Sequence, residues 1–593
     1  MAVSETCKQQ SKQIVSNPSA EITERGLVVH SHGQSVPAFL LVANEALQAG
    51  HADKALRTLH VHDFRTMLRG IDNSPRVDLW YMLAKLLLAL KQTSCALEVS
   101  QQIVVHEPSA VAFFHLALAY RQNEQLTEAL TWMEKAVQVD PEQSLYQYVL
   151  ADYFLENENV NEAFQCLETL HVRSMLDTDT YQGLLARSLF VSGIKRTQLH
   201  EGYRRLGAMM AQGVRPVTRP VLNANPDRRL RVGFLSPDFR RCSTAVPFEV
   251  FLQGRDRQDL EIWAYSNARE PDWVTQRIAG NVDRFITVNE ESLAQLAERI
   301  ARDRIDILVA FGGYVTDHLL GVFPYRPAPI QAEYGWVSTT GLVDMDYRLT
   351  DVVVDPPESR DLFSETLVYL NGGMYFFIPP TECPLVGSLP ALSRGYVTFG
   401  SFNRAIKISR PVIQCWSRVL QAIPNSRLLL KSPAGEEEIL RRKCLEPLVD
   451  MGINPQHIEI HGRLPYFDYL SLFHQVDIAL DAWPLNGAIT SMESLWMGVP
   501  VITRTGDCMT DRTGLSILSR VDLEAFSAED ADAYVAKAVA FAGQWEALGT
   551  IRGALRNRLL KSTICNPQHA GDEFGKAFRM MWRRWCAQQP SSR

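Results

Sequence analysis

A pattern of large and small residues recurs at intervals of about 34 residues in the N-terminal part of the chain. The clearest copy reads large, large-small, aromatic, small, large, small, proline at Phe113, Leu116-Ala117, Tyr120, Ala129, Met133, Ala136 and Pro141. The small residues let two antiparallel helices approach closely, the large residues fill the space between them, and the proline ends the second helix. Each helical pair buries its apolar face only by stacking on the next pair, so this part of the chain is expected to form an array.

Three further copies flank the clearest one. The preceding copy reads Trp80, Leu83-Ala84, Leu87, Ala96, Ile103 and Pro108; the following copy reads Leu150-Ala151, Phe154, Ala163, Leu167 and Leu170; a weaker first copy reads Phe39, Val42-Ala43, Ala46, Ala55 and Leu59. This is the tetratricopeptide pattern. We predict an N-terminal segment over residues 1–35 and an α-helical tetratricopeptide solenoid over 36–174, whose concave face binds a peptide or protein. A spacer or dimerisation arm is the alternative.

The pattern of apolar residues changes after a helical connector and a proline-containing linker over 175–227. Short apolar strands then alternate with amphipathic helices, which is typical of parallel sheets covered on both faces. The predicted strands are 230–235, 261–265, 284–288 and 305–311 in a first Rossmann-like lobe (228–390), and 397–401, 427–431, 458–461, 478–481 and 500–503 in a second (391–593). We therefore predict an α/β multidomain protein, with a C-terminal helix at the end of the second lobe.

Composition and missing motifs exclude several classes of protein. No stretch approaches the roughly 20 apolar residues of a membrane span, and a formal charge of -7 with a pI near 6.1 argues against a nucleic-acid partner. The first thirty residues lack a secretory signal pattern, so we expect a cytoplasmic protein. The ten cysteines include no C-x-x-C pair, and neither lobe carries a G-x-G-x-x-G or Walker A sequence, which disfavours zinc, dinucleotide and ATP sites.

The sequence DAWPLNGAITSMESLWMGVP at 481–500 predicts an anion site. Gly487 permits a tight turn. The backbone N–H groups of Ile489, Thr490 and Ser491, together with the Thr490 hydroxyl, would bind an anion at the N-terminus of a helix. Glu493 is then placed to accept hydrogen bonds from ribose hydroxyls. The alternative is a capping box, because Thr490 and Glu493 are three residues apart.

A second polar loop, FGSFNRAIKIS at 399–409, follows the first strand of the second lobe. It carries Asn403, Arg404 and Lys407. We expect Lys407 to neutralise the charge that develops on a departing nucleoside diphosphate; a solvated loop lysine is the alternative.

Together with SPDF at 236–239, RPAPIQA at 326–332, TTG and MDY at 339–347 and LTD at 349–351, these two loops resemble the bacterial O-linked N-acetylglucosamine transferase family. The resemblance runs from the tetratricopeptide arm to about residue 570. It implies a GT-B fold, a UDP-sugar donor (UDP-N-acetylglucosamine most often), inversion at the anomeric carbon, a protein Ser or Thr acceptor, and no metal or other cofactor.

The resemblance also assigns individual positions. The leaving-group lysine corresponds to Lys407, the phosphate-binding hydroxyl to Thr490 and the ribose-binding carboxylate to Glu493; Asn403, Asn486, Gly487 and Arg512 match further motif positions. The Asp-x-Asp at Asp344 and Asp346 lies in the MDY motif, where it implies a structural role rather than a metal site.

The chain departs from the family where the family usually has histidines or hydroxyl groups. Cys242, Val246 and Tyr314 occupy histidine positions of the first lobe, Tyr469 replaces a histidine near the base and is expected to stack on it, and Ala488 and Ile489 precede Thr490. The run at 332–341 is one residue shorter than usual. Asp238 and Tyr314 are the candidate bases, and a water relay to the donor phosphate is the alternative.

We therefore predict an inverting protein O-glycosyltransferase. Its partners would be a UDP-sugar and an acceptor protein, such as a flagellin or an adhesin, bound through the tetratricopeptide arm. The alternatives are a transferase specific for asparagine or for another hexose, and a degenerate scaffold in which only the arm functions.

Overall fold

The computed structural model describes residues 19–23, 26–31, 34–37, 43–44, 46–48, 51, 55, 77–172, 177–336, 339–432 and 435–589. They belong to two compact units, Met1–Leu176 and Asp177–Arg593. None of the helices in these ranges combines the length and apolar composition that a membrane span requires.

The first unit opens with three short antiparallel strands that the sequence patterns did not predict: β1 (Ser19–Thr23), β2 (Gly26–Ser31) and β3 (Gln34–Pro37). Strand β3 continues past residue 36, the predicted start of the solenoid. The pairing is antiparallel throughout, with Val29 opposite both Ala20 and Val36.

Three helical pairs follow: α1 (Val77–Ala89) with α2 (Thr93–His106), α3 (Ala110–Gln122) with α4 (Leu126–Val139), and α5 (Ser144–Glu156) with α6 (Val160–Val172). The small positions of the repeat are fully buried at Ala84, Ala96, Ala117, Ala129, Ala136, Ala151 and Ala163. The aromatic positions Phe113 and Tyr120 are half-buried. In the weaker first copy Ala43, Ala46 and Ala55 are buried, whereas Phe39, Val42 and Leu59 lie outside the described residues. The helical repeat is confirmed.

The turn inside each of these pairs uses the same left-handed backbone conformation. Lys91 has φ 57°, Glu124 has φ 64° and Glu158 has φ 62°. These residues lie about one repeat apart. The sequence repeat is therefore accompanied by a repeat in backbone conformation, and the three left-handed positions are occupied by residues other than glycine.

The second unit begins with α7 (Thr178–Ser188) and α8 (Arg196–Ala211) and continues into a seven-stranded parallel sheet. The strands are β4 (Leu230–Ser236), β5 (Leu260–Ser266), β6 (Arg284–Thr287), β7 (Ile307–Gly312), β8 (Ile330–Gly335), β9 (Tyr347–Thr350) and β10 (Thr366–Tyr369), in the order β10-β9-β8-β7-β4-β5-β6. Helices α9 (Ala245–Gly254), α10 (Trp273–Ala279) and α11 (Leu293–Arg302) connect them.

Strands β8 and β9 escaped prediction because buried polar residues interrupt their apolar runs. Arg348 on β9 is fully buried and pairs with Glu333 on β8 and with Asp355. A buried guanidinium is tolerated here because two carboxylates compensate its charge.

A second, six-stranded parallel sheet has the order β13-β12-β11-β14-β15-β16. Its strands are β11 (Thr398–Ser401), β12 (Arg427–Lys431), β13 (Ile458–His461), β14 (Ile478–Leu480), β15 (Val501–Arg504) and β16 (Ser527–Ala528). Its helices are α12 (Pro390–Arg394), α13 (Arg410–Ala422), α14 (Glu437–Leu440), α15 (Glu446–Asp450), α16 (Tyr466–Leu472), α17 (Ile489–Trp496), α18 (Thr513–Leu518), α19 (Ala531–Ala542) and α20 (Trp545–Lys561). The two predicted Rossmann-like lobes are confirmed.

The last helix, α21 (Pro567–Gln588), returns to the first lobe and packs on α9. The ring centroids of Phe251 and Phe574 lie 5.0 Å apart. A side chain at Gly571 would collide with the carbonyl of Gly254, so the two helices approach at backbone contact.

Candidate active site

Most of the predicted site residues lie where strand order reverses in the second lobe. Strands β11 and β14 are neighbours, with Gly400 opposite Ala479. From β11 the chain continues to β12 toward one edge of the sheet, and from β14 it continues to β15 toward the other edge. The crevice at the carboxyl ends of such a strand pair is where sheets of this kind bind ligands. The polar loops 402–409 and 481–488 both begin there, so the fold brings the two sequence motifs together.

The first loop is hydrogen-bonded both to the second loop and to the start of α17. The Lys407 ammonium donates to the backbone carbonyl of Asn486 over 2.9 Å. The Thr490 hydroxyl donates to the Asn403 side-chain carbonyl over 3.4 Å. Lys407, Asn403, Asn486 and Thr490 therefore form one cluster.

Asp481, which we did not predict as a site residue, holds this cluster in place. Its carboxylate accepts from the backbone N–H groups of Ala482 (2.9 Å) and Gly487 (2.8 Å), from the Thr503 hydroxyl (2.8 Å) and from the Asn403 amide (3.3 Å). Burial raises the pKa of Asp481 to about 6, against these hydrogen bonds and the nearby Lys407. Its position as the first polar residue after a buried strand was the available signal.

Gly487 is required by close approach. A Cβ at this position would lie 2.5 Å from the Thr490 hydroxyl oxygen and 3.1 Å from the Asn403 side-chain oxygen. Ser491 donates its hydroxyl hydrogen to the Gly487 carbonyl over 2.9 Å. The turn therefore packs directly under the start of α17.

The capping-box alternative does not form. The residue that precedes α17, Ala488, makes no side-chain cap, and Thr490 bonds to Asn403 instead. The Glu493 carboxylate accepts from the hydroxyls of Tyr466 (2.9 Å) and Tyr469 (2.7 Å). The first N–H groups of α17 have no carbonyl partner within the helix, and Ile489 and Thr490 at its start line the crevice.

Glu493 is buried but lines the crevice, and burial raises its pKa against the two tyrosine hydrogen bonds and Lys431. The Lys431 ammonium lies 4.5 Å from the ring centroid of Tyr469, whose edge packs on Phe402. Tyr469, predicted to stack on a base, is thus also the support of the Glu493 carboxylate.

The crevice opens into a cleft of about 1220 Å³ whose lining is strongly positive. Among the described residues, Glu493 is the one carboxylate that lines the cleft. Five cationic side chains line it as well: Arg241, Arg404, Lys407, Lys431 and Arg463. The chain as a whole carries a formal charge of -7, so this concentration of cations is local and suits a polyanionic ligand. Arg241, Lys431 and Arg463 were not predicted; Lys431 could have been found as the polar end of strand β12.

Lys407 is half-buried, and burial lowers its pKa to about 8, although the nearby Asp481 carboxylate opposes the shift. The ammonium remains mostly protonated at neutral pH. A cation partly removed from water interacts more strongly with a phosphate than an exposed one.

A second space of about 390 Å³, the small cavity, adjoins the cleft. Both are lined by Ser243, Arg404, Lys407, Leu485, Ala488 and Ile489. The small cavity adds an aromatic and apolar wall that includes Trp336, Tyr375 and Phe376. Ile489 and Ala488 thus replace polar family residues at the junction of the two spaces.

Neither the cleft nor the small cavity is lined by Tyr314, Asp238 or Arg512. Tyr314 is buried, donates to the Thr340 carbonyl over 2.6 Å, and lines a different cavity; burial raises its pKa well above the ordinary value, so it is unsuited to be a base. The Asp238 carboxylate lies 3.8 Å from the Arg240 guanidinium, and Arg241 and Ser243 reach the cleft in its place. Arg512 donates to the carbonyls of Val353 and Gly506.

The Asp344-Met345-Asp346 segment lies elsewhere on the first lobe. The Asp346 carboxylate accepts from the Arg326 guanidinium (3.0 Å) and from the Gln331 backbone N–H (2.8 Å). These bonds tie the end of the 3₁₀ segment at 320–325 to strand β8.

The sequence matches the model of glycosyl transferase family 41 over residues 212–381 and 389–573, and that of a tetratricopeptide repeat over 110–143. The probable UDP-N-acetylglucosamine–peptide N-acetylglucosaminyltransferase SPINDLY of Solanum lycopersicum is 34% identical over 373 residues, 61% of this chain and 39% of that protein. The probable enzyme of that class named SEC from Arabidopsis thaliana is 27% identical over 390 residues, 63% of this chain and 39% of that protein.

The match spans about two fifths of the length of these relatives. A solved structure of a Thermobaculum terrenum O-GlcNAc transferase mutant superposes with a TM-score of 0.68 at 26% identity, covering 93% of this chain and 98% of that one. With a GT-B architecture and a family match over both lobes, this chain belongs to glycosyl transferase family 41.

Proposed function

We propose that this protein transfers a sugar, in the first instance N-acetylglucosamine, from a UDP-sugar to a serine or threonine hydroxyl of an acceptor protein. The observation that carries the proposal is the cationic cleft, in which Lys407, the N-terminus of α17 and Glu493 line one crevice. The family match and the relatives' names support the same reaction class.

The diphosphate, ribose and sugar of the donor would each lie in a defined part of the crevice. Its diphosphate fits between Lys407 and the first N–H groups of α17, where the helix dipole favours negative charge. Glu493, held by Tyr466 and Tyr469, accepts from the ribose hydroxyls. The sugar ring then lies toward the small cavity, because Lys407, Ala488 and Ile489 line both spaces.

At the anomeric carbon, the reaction forms one bond and breaks one. The acceptor oxygen attacks the anomeric carbon, the bond from that carbon to the diphosphate oxygen breaks, and UDP leaves from the opposite face with inversion. Lys407 and the helix N-terminus balance the charge that develops on the diphosphate; the proposal requires no metal or other cofactor.

The hydroxyl proton needs an acceptor as well. No histidine is found among the described residues that line the cleft and the small cavity. The Glu493 carboxylate accepts from two tyrosines and is assigned here to the ribose. We infer that the proton passes through water to an oxygen of the donor phosphate.

The tetratricopeptide arm would hold the acceptor protein, since helical repeats present extended binding surfaces. We place the reaction in a bacterial cytoplasm, with a flagellin or an adhesin as the acceptor before export.

The test is sugar transfer by purified protein from radiolabelled UDP-N-acetylglucosamine to co-expressed flagellin or adhesin, with Lys407→Ala as the inactive control. Intact-mass analysis should show the addition of N-acetylhexosamine, and fragmentation should place it on serine or threonine. Addition of a plain hexose, or attachment to asparagine, would support those alternatives instead. Absence of transfer together with absence of UDP binding would support the scaffold alternative.

A further inference from the structure

The connector loop, residues 189–195 between α7 and α8, reaches the candidate active site. Phe190 in this loop lines the cleft together with Lys407. Ser192 donates its hydroxyl hydrogen to the hydroxyl oxygen of Ser409 over 3.2 Å. The connector loop precedes both lobes in the sequence, so a segment outside the two parallel sheets contributes to the site.

Ser409 stands at the start of a helix but does not cap it. It directly precedes α13, where a serine hydroxyl normally accepts from a backbone N–H of the first turn, and its side chain makes no such bond. The buried hydroxyl donates instead to the backbone carbonyl of Trp483 over 2.9 Å. A serine hydroxyl has one hydrogen to donate, so the bond from Ser192 is accepted by the Ser409 oxygen. The three groups form one chain, from Ser192 through Ser409 to Trp483.

This chain lies beside the bond between Lys407 and Asn486. Ser409 is two residues after Lys407, and Trp483 is three residues before Asn486. The end of the loop 402–409 is therefore joined to the loop 481–488 by the Lys407 ammonium and again by the Ser409 hydroxyl. Neither Ser409 nor Trp483 lines the cleft or the small cavity. Their bond is therefore not in competition with a ligand in these spaces.

The connector loop is itself held by both lobes. The Ile194 carbonyl accepts from the Cys508 thiol of the second lobe over 3.9 Å. Directly after the loop, the buried Arg196 guanidinium donates to the Val354 carbonyl of the first lobe over 3.3 Å. Ser192 lies between these two attachments, so its hydroxyl is presented to Ser409 from an anchored segment.

We propose that Ser409 and Ser192 are positioning residues that hold Lys407 in place for the departing diphosphate. The inference rests on the proposed function for the identity of that ligand. The Ser409 hydroxyl fixes the separation of the two loops next to Lys407, and the bond from Ser192 directs the Ser409 hydrogen toward the Trp483 carbonyl. A lysine side chain is long and flexible, so the backbone that carries it must be fixed for its ammonium to meet the same oxygen in every turnover.

The experiment compares variants that each remove one hydroxyl. Ser409→Ala removes the bond to Trp483. Ser192→Val and Ser192→Thr have nearly the same side-chain shape at a half-buried position and differ in the hydroxyl. Ser426→Ala is the matched control, because Ser426 is also buried and donates to a backbone carbonyl, that of Ile423, over 2.7 Å. Ser426 directly precedes β12, at the edge of the sheet opposite to the crevice.

The first readout is the pKa of Lys407 in the ligand-free protein. Trace acetylation over a range of pH measures it, because only the neutral amine reacts; the peptide that contains Lys407 is quantified against the one that contains Lys576. Burial lowers the pKa of Lys407 to about 8, the Asp481 carboxylate opposes this shift, and the Arg404 guanidinium adds to it. A lysine released into water regains a higher pKa.

We therefore expect Ser409→Ala to move the acetylation profile of Lys407 upward by about one pH unit. Ser192→Val should move it in the same direction, whereas Ser192→Thr and Ser426→Ala should match the wild type. The second readout is kcat for sugar transfer. Displacement of a group at the reacting centre by about 1 Å lowers rates by up to about 100-fold, so Ser409→Ala should lower kcat by about tenfold or more and Ser426→Ala should leave it unchanged.

Identical acetylation profiles of Lys407 in Ser409→Ala and wild type, or an equal shift in Ser426→Ala, would overturn the inference. A shift in Ser409→Ala without one in Ser192→Val would remove Ser192 from the assignment. The expected shifts in a protein that binds no UDP and transfers no sugar would instead contradict the proposed function, because the acetylation readout needs neither ligand nor activity.

Discussion

The Lys407 ammonium donates a 2.9 Å hydrogen bond to the backbone carbonyl of Asn486. This bond connects the loop after β11 with the loop after β14, so the lysine is positioned before any ligand arrives. An ammonium has three N–H donors. Lys407 can therefore keep the bond to Asn486 and still contact a diphosphate.

Replacing Lys407 by alanine should nearly abolish sugar transfer. The cation opposite the leaving diphosphate is lost, and loss of a single preorganised electrostatic contact typically lowers kcat by about 100- to 1000-fold. Initial rates with radiolabelled donor measure the effect. Lys576→Ala serves as the control, because Lys576 lies on α21 and pairs with Glu573. Equal rates for Lys407→Ala and wild type would remove the lysine from the mechanism.

The affinity for UDP should fall as the pH rises through about 8. The pKa of Lys407 is lowered to about 8 by burial, so the side chain is charged below that pH and neutral above it. Titrations of UDP between pH 6.5 and 9.5 measure the dependence. Lys407→Arg should move the decline to higher pH because a guanidinium stays protonated. An unchanged midpoint in this variant would assign the titration to another group.

Glu493→Gln should weaken UDP binding by about tenfold to 100-fold, since hydrogen bonds to a charged acceptor contribute about 1.5–3 kcal/mol. The comparison with 2′,3′-dideoxy-UDP isolates the ribose contact. If Glu493 binds the ribose hydroxyls, the substitution should have little further effect on the dideoxy ligand. An equal loss for both ligands would mean that the carboxylate only supports Tyr466 and Tyr469.

Gly487→Ala should lower both stability and donor affinity. The added Cβ would lie 2.5 Å from the Thr490 hydroxyl and 2.9 Å from the Ser491 hydroxyl, so the start of α17 must shift, at a cost of about 1–3 kcal/mol. Denaturant unfolding and UDP titration measure the two effects. Gly553→Ala, a helical position with open surroundings, should be neutral or slightly stabilising. Wild-type affinity in Gly487→Ala would show that α17 does not contact the diphosphate.

Tyr314→Phe should leave kcat almost unchanged and cost about 1–3 kcal/mol of stability, because it removes the donor of the buried Thr340 carbonyl. A catalytic base would behave differently, since its loss typically lowers kcat by about 100-fold or more. Rates at saturating substrate, compared with thermal unfolding, separate the two roles. A large fall in kcat at normal stability would restore Tyr314 as a base.

Much of the fold could be predicted from residue patterns that each have one physical cause. The repeat at Ala84, Ala117 and Ala151 could be recognised because two helices approach closely only where small residues face each other. The strands around Lys407 were visible because parallel strands are buried on both faces and read as apolar runs. Thr490 and Glu493 were identified because the helix that carries them follows such a strand.

The rest depended on partners distant in sequence. Strands β8 and β9 contain Glu333 and Arg348, whose burial makes sense only once the two are paired. Asp481 looked like a strand end, and its role in holding Gly487 and Asn403 appears only in three dimensions. Tyr314 matches a site position in the sequence, but it lines a cavity other than the cleft and the small cavity.

The central claim is that the crevice between Lys407 and Glu493 binds a nucleoside diphosphate. Isothermal titration of UDP into the full-length protein at neutral pH tests it most directly. The account predicts saturable binding at one site per chain, weakened by Lys407→Ala and by Glu493→Gln and unaffected by Lys576→Ala. No binding heat at millimolar UDP, or binding that ignores both substitutions, would contradict it.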